Sequence, residues 1–149
     1  LADVDVRVLH ANSQELIARV TATNDNAARL TDVLRDHPAV ASVYYPDCQT
    51  PAWQNIARPG GGGGGLLSVV LKDAARHTPM VFDRLRICKG PNLGTHFTLC
   101  CPYTILAHYD ELDFAERCCV SRWLLRVSVG TEPFDQLEQR FTEALDTVR

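Results

Sequence analysis

Six consecutive glycines, Gly60 to Gly65, run directly into Leu66-Leu67-Ser68-Val69-Val70-Leu71. This junction constrains the fold more than any other stretch of the chain. Glycines cost backbone entropy and bring no side chains to a core, so the run predicts a loop. The nearly continuous apolar run behind it predicts a buried strand. A phosphate-binding loop would instead need a following Gly-Lys-Ser/Thr and a helix whose first amides face the anion. The glycines are therefore expected to form a flexible hairpin or crossover loop.

Upstream of the glycines, Asn12-Ser13-Gln14-Glu15 predicts a helix start, with Asn12 as cap and Glu15 reaching back to it. Leu16, Ile17, Val20, Ala27, Leu30, Val33 and Leu34 then recur at helical spacing and predict one buried face of a single long helix. His37-Pro38 ends it, because proline disfavours helix in the residue before it. Ala41 to Tyr45 predicts a strand, and Asp47 to Arg58 a loop with a short helix near Trp53.

Downstream, Ala74 to Leu85 predicts a helix interrupted or restarted at Pro79. Arg86-Ile87-Cys88 reads as a short strand, Lys89 to Gly94 as a turn-rich loop, and Thr95 to Cys101 as a strand closed by Pro102. Asp110 to Cys119 reads as a short helix and Leu124 to Val129 as a strand. The last helix opens near Pro133, with Phe134, Leu137, Phe141, Leu145 and Val148 as its apolar face. Helices and strands are thus mixed along the chain. The expected fold class is α+β: a two-layer sandwich with a mainly antiparallel sheet and helices on one face.

The chain has 149 residues, which suits a single domain over 1–149. The net charge of −3 and the lack of a basic block argue against a nucleic-acid partner. No apolar run approaches the roughly 20 residues that would span a bilayer. Leu1 to Val6 carries acids and no long apolar core, so it does not read as a signal peptide. The six cysteines, Cys48, Cys88, Cys100, Cys101, Cys118 and Cys119, sit among apolar neighbours in a chain large enough to fold without staples. They are expected to be reduced, buried thiols. Adjacent pairs lack zinc-ligand spacing, so no metal is expected.

Few residues suggest chemistry. Arg126 lies inside an apolar strand run, where a charge must be paired, exposed at an edge, or waiting for an anion. Its planar fork suits a carboxylate. His96 and His108 border apolar segments and read as hydrogen-bonded structural residues. The only lysines, Lys72 and Lys89, read as exposed charges.

Four segments in order then resemble one family. His37-Pro38-Ala39-Val40 through Val43-Tyr44-Tyr45-Pro46 resembles the "HP-V--V-YP" segment of the trans-sulfuration enzymes that use pyridoxal phosphate (PLP). Gly64-Gly65-Leu66-Leu67-Ser68 resembles their "GG--S" strand start. Lys89 to Thr95 is similar to their substrate loop, usually built on Ser-Leu-Gly. Leu125 to Gly130 with Glu132 is similar to their "R-SVG-E" strand. The wording around "KGP-LGT-FTL-CPY--LAHY-ELD-A" is most similar to fungal-type cystathionine gamma-synthases.

The resemblance implies a C-terminal, substrate-side domain whose PLP-binding domain has no counterpart in this chain. It implies that Arg126 binds the substrate α-carboxylate, with Asn92 standing where serine is usual and Leu93, Gly94 and Thr95 completing the substrate loop. Phe97 stands where many relatives carry a glutamate. No catalytic or cofactor-binding residue is expected in this chain. The whole enzyme would replace the γ-substituent of an activated homoserine with cysteine's sulfur, as a cytoplasmic homo-oligomer whose partners are its own PLP-binding domain and an amino-acid substrate. Two alternatives stay open: a stand-alone interaction or regulatory domain that kept the fold without catalysis, and an unrelated α+β binding module.

Overall fold

The computed structural model describes residues 2–148. Two helices lead, α1 (Asp3–Ser13) and α2 (Leu16–Asp36). After them come β1 (Val40–Tyr44), α3 (Pro51–Gln54), β2 (Leu66–Leu71), α4 (Ala74–Arg84), β3 (Cys88–Lys89) and β4 (Leu99–Pro102). The chain ends with α5 (Tyr103–Ala107), α6 (Leu112–Arg117), β5 (Leu125–Ser128) and α7 (Phe134–Leu145). Single 3-10 turns lie at Tyr109–Glu111 and Asp146–Val148.

The strands form one sheet in the order β1-β2-β5-β4-β3. The expectation of an α+β fold holds, but the sheet is mixed rather than mainly antiparallel. β1-β2, β2-β5 and β4-β5 pair antiparallel, whereas β3-β4 pairs parallel. The parallel pair arises because the loop from Lys89 to Thr98 carries the chain back to the start of β3 before β4 begins. Cys88 then faces Leu99, and Lys89 faces Cys100.

One sheet face makes the core. Leu67, Val127 and Cys100 lie in one cross-strand row, and Val43, Val69 and Leu125 in the next. Helix α7 packs against both α2 and α4, and the three helices complete this layer. Leu30, Leu34, Leu137, Phe141 and Leu145 are the principal helical residues in the core. β2 is not buried along its whole length, as its continuous apolar run suggests. Leu67, Val69 and Leu71 face the core while Leu66 is exposed, because strand side chains alternate.

The expected long helix is α2, but it starts at Leu16 rather than at Asn12, and a helix the sequence reading did not find, α1, precedes it. Asn12 lies inside α1, and Glu15, at the start of α2, makes no side-chain capping bond. The expected apolar face is right only in its second half. Ala27, Leu30 and Leu34 are buried, but Leu16, Ile17 and Val20 are exposed, as are Val4, Val8 and Leu9 of α1. Only the later turns of α2 overlie the sheet; α1 buries no residue at all.

The strand expected over Thr95–Cys101 is confined to Leu99–Pro102, and the helix expected over Asp110–Cys119 is preceded by α5, which the sequence reading did not find. The cysteines also divide. Cys100 and Cys101 are buried, but Cys88, Cys118 and Cys119 are exposed, against the expectation of buried thiols throughout. Cys88 lies on an edge strand, and Cys118 and Cys119 lie just past the C-terminal end of α6. Burial pushes the Cys100 thiol up to about 12, with Cys101 adding to the shift and Lys89 and Arg126 opposing it. Cys100 therefore stays a neutral thiol at ordinary pH, and only a thiolate is nucleophilic. At pH 8, iodoacetamide should modify Cys88, Cys118 and Cys119 in the native protein and reach Cys100 and Cys101 only after unfolding. Peptide mapping showing equal rates at Cys100 and Cys118 would refute this division.

The glycine run is a loop, as expected, and its middle lies close against neighbouring side chains. A Cβ on Gly63 would lie 2.7 Å from the Tyr45 ring, and one on Gly62 would lie 2.6 Å from the Asn24 side chain. Tyr45 Oη donates to Gly64 O at 2.8 Å, and Gly64 N donates to Asn24 Oδ1 at 2.8 Å. The run therefore straps α2 to the end of β1. Gly63→Ala should cost about 1–3 kcal/mol by overpacking against a ring that is itself hydrogen-bonded. An unchanged denaturation midpoint would show the strap to be loose.

Candidate functional site

The sheet face opposite the core carries the polar residues. Tyr44, Ser68, Arg126 and Cys101 form one cross-strand row on it, and Leu66, Ser128 and Leu99 form the next. Arg126 reaches this face because Leu125 and Val127 are committed to the core, so alternation along β5 turns it outward.

The Arg126 guanidinium is half-buried and held by neutral groups. It donates to Pro91 O at 2.5 Å and lies over the Tyr103 ring, 4.5 Å from its centroid. Tyr103 is the first residue of α5, so the short turn after β4 supplies the platform. Among the described residues Arg126 makes no ion pair with a carboxylate. Burial raises the Cys101 thiol above its usual range, and the neighbouring Arg126 partly offsets the rise.

The loop before β4 passes over the same face. Arg126 meets it at Pro91 O, one residue before Asn92 in the chain. Asn92 is exposed, and its side chain makes no hydrogen bond within the described residues. Leu93 is also exposed. Gly94 has φ +73°, a left-handed conformation that disfavours other residues, and its N–H donates to Ser128 Oγ at 3.4 Å. Thr95 Oγ1 donates to Phe97 O at 2.5 Å.

A buried network fixes the far end of this loop. Glu132 accepts from Thr98 N at 2.6 Å and from Thr98 Oγ1 at 2.9 Å. Thr98 Oγ1 in turn accepts from Gly130 N at 2.9 Å. Asn26 of α2 donates to Gly130 O at 3.1 Å and to Glu132 O at 2.9 Å. Helix, loop and the end of β5 are thereby tied at one point. Thr98 N is thus engaged by the Glu132 side chain rather than by a neighbouring strand.

Both histidines are hydrogen-bonded, as expected. His96 O accepts from Thr131 N at 2.8 Å, and its ring Nε2 lies 3.2 Å from Arg19 Nη1. His108 Nδ1 lies 2.6 Å from Glu111 Oε1. Lys89 is more than a surface charge. Its Nζ donates to Phe82 O and Leu85 O at 2.5 Å each, closing the C-terminal end of α4. Desolvation lowers its pKa, with Cys100 and Asp83 opposing the shift. Lys72 is exposed just past the end of β2.

Between the loop and α2 lies a cavity of about 390 Å³, lined by residues that include Arg19, Thr23, Gly65, Leu93, Thr95 and Ser128. Gly94 and His96 also border it, whereas Arg126, Asn92, Lys72 and Lys89 do not. Arg19 and Tyr103 are the residues at this site that the sequence reading missed. Arg19 meets His96 across 77 residues of sequence, and no local pattern signals that contact.

The sequence profile of the "Cys/Met metabolism PLP-dependent enzyme" family matches residues 8–146. The chain belongs to this family. It is 45% identical over 143 residues to a cystathionine gamma-synthase of Neurospora crassa, covering 95% of this chain and 23% of that protein. It is 36% identical over 154 residues to a cystathionine gamma-synthase of Saccharomyces cerevisiae, again covering 95% of this chain and 23% of the relative. The chain thus spans about a quarter of the length of these curated relatives. Among solved structures, cystathionine gamma-synthase from Xanthomonas oryzae pv. oryzae in complex with cystathionine superposes with a TM-score of 0.78 at 25% identity. That match covers 89% of this chain and 35% of the other. Among the described residues, no helix is long and apolar enough to cross a membrane.

Proposed function

We propose that this family member is the substrate-side, C-terminal domain of a cystathionine gamma-synthase, and that the PLP-binding domain belongs to a longer chain. Arg126 takes the α-carboxylate of an O-acyl-homoserine. Asn92 donates a further hydrogen bond to it, and Leu93, Gly94 and Thr95 shape the loop that closes over the ligand. The observation that carries this reading is the Arg126 guanidinium. It has an aromatic stacking partner and one backbone acceptor, but no carboxylate of its own among the described residues. A fork held in place and lacking an anion is suited to binding one reversibly.

The described residues do not fit a PLP cradle. Lys89 is spent on helix carbonyls, and Lys72 lies outside the cavity beside the substrate loop. PLP, supplied by the rest of the enzyme, would act as the electron sink for γ-replacement. In this reading the full enzyme is a cytoplasmic homo-oligomer, and this domain holds and orients the amino acid.

The full-length protein with PLP, an O-acyl-L-homoserine and L-cysteine should yield cystathionine and the free acid. Borohydride reduction followed by peptide mapping should place no pyridoxyl group on Lys72 or Lys89. A folded, PLP-loaded enzyme that forms no cystathionine would replace this reading with that of a non-catalytic domain derived from the same family. A pyridoxyl group on either lysine would overturn the division of labour between domains.

A further inference from the structure

We propose that Cys101 is a positioning residue for substrate binding: its buried thiol orients the Arg126 guanidinium without neutralising it, so the cation is aimed and still free to take an anion. This inference rests on the reading of Arg126 given above.

Cys101 is buried without belonging to the core. Alternation along β4 sends Cys100 into the core cluster and turns Cys101 to the opposite face, where it is nevertheless only 2% exposed. Its direct partner across the strands is Arg126. Side chains placed opposite each other on one sheet face have Cβ atoms roughly 5 Å apart, so thiol and arginine are within reach. The arginine's charge and a side-chain hydrogen bond from it both act on the thiol.

The register explains why two residues of one segment grip the same side chain. β4 ends at Pro102, yet Tyr103 N still donates to Leu124 O at 3.0 Å, so the chain keeps pace with β5 for one residue more. Cys101 and Tyr103 are therefore two positions apart and share a face. The thiol stands opposite Arg126, and the Tyr103 ring lies 4.5 Å from the guanidinium. Pro91 O is the third contact. All three groups are neutral. Sulfur is a weak acceptor, so it gives the guanidinium a direction and leaves its charge uncancelled. Burial favours the protonated thiol, which keeps this neighbour neutral as well. An apolar side chain at 101 would leave the N–H it covers without an acceptor.

The test measures KM and kcat for an O-acyl-L-homoserine in the full-length, PLP-loaded enzyme. Cys101→Ala removes the acceptor and should raise KM about three- to tenfold, the effect of losing one ordinary hydrogen bond, with kcat within about twofold. Cys101→Ser keeps an acceptor and should stay within about twofold of wild type in KM. Cys101→Val and Cys101→Thr repeat the comparison at matched size, should the smaller side chains unfold the protein. Cys101→Val should behave as Cys101→Ala does, and Cys101→Thr as Cys101→Ser. In an Arg126→Lys background, Cys101→Ala should add less than about twofold, because the fork it orients is gone. Equal losses in both backgrounds, or equal losses with and without a hydroxyl at 101, would mean a structural role and overturn the proposal. If Arg126→Lys leaves KM unchanged, the reading of Arg126 fails and takes this inference with it. If Arg126→Lys raises KM while Cys101→Ala and Cys101→Val spare it, only the role of Cys101 falls.

Discussion

Arg126→Lys in the full-length enzyme should raise the KM for the amino-acid substrate about ten- to a hundredfold, equivalent to roughly 1.5–3 kcal/mol for one charge-assisted interaction. Lysine keeps the charge, so the loss isolates the fork: an ammonium cannot donate two parallel bonds to a carboxylate. It also stacks less well on an aromatic face, so the platform at Tyr103, 4.5 Å below the guanidinium, would no longer aim the cation. Arg126→Ala should lose the contact altogether and weaken binding at least as much. The guanidinium also holds Pro91 O in the unbound domain, so its removal should loosen the loop that carries Asn92. The signature of a binding role is therefore a KM effect larger than the kcat effect. Unchanged KM in Arg126→Lys would end the assignment.

The second large effect is on stability. Leu30→Ala should destabilise the fold by about 2–5 kcal/mol, since Leu30 is wholly buried where α2 crosses the sheet. Leu16→Ala, on the same helix at 50% exposure, should change it by less than about 0.5 kcal/mol. The pair is a contrast within one helix and one residue type, read from chemical denaturation followed by circular dichroism. Equal effects would mean that the first turns of α2 are packed after all.

That contrast shows what could be read from the sequence. Periodicity located the face of α2 and of α7 correctly, because Ala27, Leu30 and Leu34, like Leu137, Phe141 and Leu145, repeat at helical spacing against one sheet. It could not say how far the sheet extends beneath the helix, so Leu16, Ile17 and Val20 were assigned to a core that does not reach them. Arg126 stood out because a charge interrupts an apolar strand, which is a local signal. Its platform did not: Tyr103 lies 23 residues away and meets it only through the pairing of β4 with β5. The parallel pairing of β3 was equally hidden, since it depends on where the loop from Lys89 to Thr98 is pinned by Glu132.

The uneven support along α1 and α2 makes their helical structure graded rather than uniform. An isolated helix of about a dozen residues is marginal in water, and α1 buries no residue, its one tie to α2 being the bond from Arg19 Nη2 to Asn12 O among the described residues. Helicity there should be a property of temperature and solvent, while from Asn26 onward it is a property of the tertiary fold. The break between α1 and α2 is therefore not the true boundary of the rigid body. That boundary falls within α2, near the point where Asn24 and Asn26 clasp the glycine strap and the end of β5, and beyond it Arg19 meets the loop at His96.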